Sequence, residues 1–105
     1  MIRAVFTVES KLVTGFEISG HSDYSEQGSD IVCAAVSSAA YMTANTLTEV
    51  QGLECSETVE DGFMQVKLSP EEARDAQIVL NGFLLHMNAL EQAYEDFIDL
   101  KISEV

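Results

Sequence analysis

Basic side chains are scarce in this chain. Five Lys and Arg stand against 18 Asp and Glu, a formal net charge of −13 over 105 residues, and neither Lys nor Arg occurs between Lys11 and Lys67. A surface so poor in cations argues against nucleic acid as a direct ligand, because phosphate binding depends on Lys and Arg neutralising the backbone. It argues equally against an anionic membrane surface. It favours basic partners, whose approach such a field accelerates, although solubility alone is reason enough for many acidic domains.

Cysteine is also scarce. Cys33 and Cys55 are too few for a disulfide framework, which makes a reducing cytoplasm the simplest location. No uninterrupted apolar run approaches the roughly 20 residues of a membrane span, so no membrane partner is expected. The opening MIRAVFTVES alternates like a strand and lacks a signal peptide's continuous apolar segment and small-residue cleavage site. The hydrophobic fraction of 47% is too high for a disordered acidic tail. No linker or low-complexity stretch interrupts the chain, so residues 1–105 are expected to form a single domain.

The apolar pattern predicts the elements in order. Ile2, Ala4, Phe6 and Val8 alternate as one strand, and Leu12, Thr14, Phe16 and Ile18 as a hairpin partner. After a polar loop from Gly20 to Ser29, residues 31 to about 50 suit a helix capped by Asp30 or Ser29 and stopped by Gly52. LECSETVEDGFMQVKL reads as a second hairpin, turning at Asp61-Gly62 in a type I′ turn. The single proline, Pro70, follows Ser69 and precedes Glu72, the signature of a capped helix start. From Ala73 to Phe97 apolar residues step by three and four along one stripe, and Ile98, Leu100 and Ile102 then alternate as a last strand. The expected fold is α+β: a mainly antiparallel sheet with two helices on one face, in the order strand-strand-helix-strand-strand-helix-strand.

The chemistry concentrates in GHSDYSEQGSDIVCAAVSSAAY, residues 20–41. With Asp30 as the cap, Cys33 falls in the first helical turn, where exposed backbone N–H groups and the helix dipole favour an anion. Such a position, with an imidazolium beside it, favours a thiolate over a thiol. His21 can supply the imidazole. Twelve residues span roughly 40 Å when extended, so the intervening loop can fold back, although nothing in the spacing requires it. A Cys–His pair suits acyl transfer, and amides at a helix start can serve as an oxyanion hole. Asp23, Glu26 and Asp30 oppose the scheme by adding negative charge. The plainer reading of Cys33 is a small buried hydrophobe at the head of an apolar helix.

The block Gly20-His21, Gly28 and Asp30-Ile31-Val32-Cys33-Ala34 through Ser37 resembles the bacterial ribosomal-processing cysteine proteases called Prp. The resemblance extends over the length and element order, but its specificity lies in these eighteen residues. It implies a cysteine endopeptidase with Cys33 as nucleophile and His21 as general base. Asp30 and Ser37 match the supporting aspartate and serine. Ser22, Asp23, Tyr24, Ser25, Glu26, Gln27, Gly28 and Ser29 match a flexible loop that orders around substrate, with Ser22 where alanine is common. The implied substrate is the basic large-subunit ribosomal protein twenty-seven, which loses an N-terminal extension after a Phe-Phe-like motif. The implied assembly is a homodimer.

Other residues read more plainly. Cys55, in phase with Leu53 on the expected third strand, is read as core, and His86, beside the apolar stripe, as a surface or interface residue. No CxxC or HxxxH spacing points to a metal, and no cofactor is expected. Glu91, Glu95, Asp96 and Asp99 crowd the expected end of the second helix as a solvated face. The reading from another class is a non-catalytic acidic module that holds a basic ribosomal protein.

Overall fold

A computed structural model of the chain describes residues 1–21 and 30–105. The expectations for residues 22–29 lie outside the described residues. Strands β1 (Ile2–Glu9) and β2 (Leu12–Ser19) are followed by helix α1 (Ile31–Asn45), which continues into a π-helical turn at Thr46–Val50. Then come β3 (Ser56–Glu60), β4 (Phe63–Lys67), helix α2 (Pro70–Ala93) and β5 (Ile98–Glu104). The strands form one sheet in the order β3-β4-β2-β1-β5. Among the described residues only β1 and β5 pair in parallel; the other neighbours are antiparallel. This is the α+β fold and element order that the patterning predicts.

Alternation along the strands sends one face to the helices. Ile2, Ala4 and Phe6 of β1, Phe16 and Ile18 of β2, Met64 and Val66 of β4 and Ile98 of β5 are buried with Val32, Val36, Ala40, Leu80, Phe83 and Met87 from the helices. At the centre, Phe6, Phe16 and Phe83 meet with ring centroids 4.9 to 6.0 Å apart. Each such side chain contributes on the order of 1.5–3 kcal/mol by leaving water.

Several local expectations are corrected. The Ser10-Lys11 turn, and not Asp61-Gly62, holds two left-handed residues (φ 52° and 68°), the requirement of a type I′ turn. At Asp61-Gly62 only Gly62 is left-handed (φ 70°). A register shift at Thr7/Val8 breaks the alternation of β2, so that Val13 is buried and Leu12 only half-buried. Gln77 of α2 stitches this irregular stretch, accepting from the Val13 N–H (3.0 Å) and donating to the Val13 carbonyl (2.8 Å).

Helix α1 and its continuation, Ile31–Val50, are long and apolar enough by length and composition to cross a membrane, with mean hydropathy 1.2. Serines and threonines spread along the segment leave it without a long uninterrupted apolar run. Here Val32, Val36, Ala40, Thr43, Ala44 and Leu47 pack into the core of the sheet fold. Thr43, Thr46 and Thr48 each donate a side-chain hydrogen bond to the carbonyl four residues back (2.7 to 3.1 Å), which accompanies the widened last turn. Helix α2 starts at Pro70 with the Ser69 hydroxyl accepting from the Glu72 N–H. It ends at Ala93, so Phe97 of the stripe lies beyond the helix, half-buried against the core.

Candidate active site

Helix α1 begins where Asp30 caps it. One carboxylate oxygen accepts from the N–H groups of Val32 and Cys33, both at 3.0 Å, and the Asp30 carbonyl accepts from the Ala34 N–H, also at 3.0 Å. Asp30 in the extended region followed by a helical run is the cap its residue type favours. The cap places Cys33 in the first turn, half-buried at the edge of the core.

The imidazole is placed by backbone contacts at the end of β2. Strand β2 ends at Ser19, and Gly20 follows in the left-handed region (φ 88°), so close to the chain start that a Cβ would lie 2.4 Å from the Met1 carbonyl oxygen. The Gly20 N–H donates to the Gly62 carbonyl at 2.9 Å, tying the end of β2 to the β3–β4 turn. His21 comes next, exposed, with its ring against Gly62.

His21, Cys33 and Ser37 line one cavity of about 620 Å³. Its floor is apolar, made by Ile2 and Ile18 of the sheet with Val36 and Ala40 of α1. Tyr41, Val59, Phe63 and Met64 extend the apolar wall, and Glu60 and Asp61 add the only charged side chains among the described lining residues. Ser37 is exposed, one turn beyond Cys33 on the same side of α1. The arrangement brings a thiol, an imidazole and a hydroxyl to an open cleft with an apolar floor, which suits an attack on a carbonyl held in an extended peptide.

The other singled-out residues lie elsewhere. Cys55 sits one residue before β3, half-buried with Leu53 against the core, and is not joined to Cys33 in a disulfide. Burial, then the nearby carboxylates of Glu57 and Glu72, push its thiol pKa up. His86 is exposed on a separate groove between α1 and α2, away from the cleft. Among the described residues, no three His, Cys, Asp or Glu side chains gather as a metal site would require. Sequence patterning missed Gly62, Tyr41 and the sheet residues of the cleft. The Asp61-Gly62 turn was legible, but its contact with His21 joins positions 41 residues apart.

A family model described as cysteine protease Prp matches residues 1–99. The ribosomal processing cysteine protease Prp of Bacillus subtilis (strain 168) is 29% identical over 92 residues, 82% of each chain. An essential ribosomal processing protease Prp from S. aureus, crystallised with a covalently linked product peptide, is similar with a TM-score of 0.89 at 26% identity, over 98% of this chain and 100% of that one. A second structure of S. aureus Prp, with a substrate peptide, has a TM-score of 0.85 at 25% identity and the same coverage. The chain is thus a member of the cysteine protease Prp family.

Proposed function

We propose that this protease removes the N-terminal extension of large-subunit ribosomal protein twenty-seven, with Cys33 as nucleophile and His21 as general base. The observation that carries this reading is that His21 and Cys33, twelve residues apart in sequence, line the same cleft. The names of the Bacillus subtilis and S. aureus relatives support ribosomal processing, and the peptides bound in the S. aureus structures support a peptide substrate.

The chemistry runs in two stages. His21 takes the Cys33 thiol proton as the sulfur attacks the scissile carbonyl, and the tetrahedral intermediate collapses to a thioester as the imidazolium protonates the leaving amine. Water, deprotonated by the same imidazole, then attacks the thioester, and the proton returns to the thiol as the acid product leaves. The apolar floor suits the aromatic side chains of a Phe-Phe-like motif. The amides of Val32 and Cys33 already serve Asp30, so an oxyanion would compete with that carboxylate for them. In this reading Asp30 orients the helix start and Ser37 supports bound substrate from one turn along. We extend the reading to a homodimer, which the family resemblance alone supports, and to a cytoplasmic location, which the low cysteine count supports.

The test is incubation with the precursor ribosomal protein, wild type beside Cys33→Ala and His21→Ala, read by mass spectrometry. One discrete N-terminal cut by wild type, abolished in both variants, is expected. An intact precursor that binds tightly to wild type and both variants would instead mark a holding module for a basic protein.

A further inference from the structure

We infer that Gly62, on the β3–β4 turn, is a positioning residue for His21: its missing side chain is the space in which the imidazole sits. The inference rests on His21 being the general base. A Cβ built on Gly62 would lie 2.9 Å from Nε2, 3.4 Å from Cε1 and 3.6 Å from Cδ2 of His21. The first of these is too short for a carbon–nitrogen contact, so a side chain at 62 and the present ring position are incompatible.

Two features direct the consequence onto catalysis. The ring is exposed, so it can swing aside without disturbing the core. The backbone behind it is held, since Gly20 is bonded to the Gly62 carbonyl and packed against the Met1 carbonyl. The side chain therefore yields before the main chain does. A proton acceptor displaced by even about 1 Å can cost on the order of 100-fold in rate.

Gly62 is also left-handed, so any substitution adds backbone strain, and that component must be separated. Gly52 supplies the control. It has nearly the same conformation (φ 67° against 70°), but a Cβ there would meet nothing within 4 Å. Gly52→Ala thus carries the strain alone, whereas Gly62→Ala carries the strain and the displaced ring.

The experiment measures the second-order rate of Cys33 alkylation by iodoacetamide, resolved by peptide mass spectrometry, together with kcat/KM for precursor cleavage. Expected for Gly62→Ala is a fall of about 10- to 100-fold in kcat/KM and a matching fall in alkylation, with both within about twofold of wild type in Gly52→Ala. Combined with His21→Ala, Gly62→Ala should slow alkylation no further, because the ring it displaces is gone. Equal effects of Gly62→Ala and Gly52→Ala, or additivity with His21→Ala, would overturn the inference. If His21→Ala itself leaves alkylation and cleavage unchanged, the assignment of the base has failed instead. Should Gly62→Ala not fold, Gly62→Asn and Gly52→Asn repeat the comparison, since Asn tolerates the left-handed region while still carrying a Cβ.

Discussion

A single oxygen of Asp30 holds the amide of Cys33, three residues on, at 3.0 Å, and the amide of Val32 at the same distance. The residue that starts the helix is thus bonded directly to the backbone of the proposed nucleophile.

Removing that oxygen should be felt first as lost stability. Asp30→Ala is expected to cost about 1 kcal/mol, or about 4–8 °C in Tm for a domain of this size, while Asp30→Asn retains most of the cap. Thermal melts of the two variants decide it. Equal losses would mean that the carboxylate charge, and not its place as a cap, stabilises the helix start.

Cys55 should behave as a sluggish thiol. Burial first, then Glu57 and Glu72, raise its folded-state pKa above the ordinary value of 9.0. The folded state therefore prefers the neutral thiol: the resulting stability is present in full below pH 9.0 and is lost as the pH rises through the raised folded value. Denaturant melts on either side of that pH should show wild type losing ground to Cys55→Ala only on the alkaline side. A difference independent of pH would show that Cys55 stays protonated or stays exposed throughout.

The charge deficit makes a kinetic prediction. A field from 18 acidic and five basic side chains should draw in a basic ribosomal precursor, and added salt should screen it. The value of kcat/KM for the precursor is expected to fall several-fold between low and high ionic strength, with kcat nearly constant. A flat salt profile would leave the acidity as a solubility device.

Much of the architecture was legible because local signals agreed with one another. Ser69-Pro70 announced α2, Asp30 announced α1, and two runs of alternation announced β1 and β5. The departures arise where distant residues decide. Leu12 gives way to Val13 because β1 shifts register beside it and Gln77 of α2 bonds the irregular stretch. The stripe through Phe97 outlasts its helix because an apolar residue beyond a helix end can still reach the same core. At the site, the block from Gly20 to Ser37 exposed the thiol and the imidazole, but nothing local in it says that the ring rests on Gly62.

The pairing of β1 with β5 also orders events in time. β1 lies between β2 and β5, and Ile2 of that strand belongs to the cleft floor. During synthesis β1 and β2 can pair early, whereas the second flank of β1 stays open until residues 98–104 have left the ribosomal tunnel. Pairing across so long a stretch of chain is slow compared with hairpin closure. The strand that supplies Ile2 to the cleft is therefore paired on both flanks only once the last strand of the chain is in place.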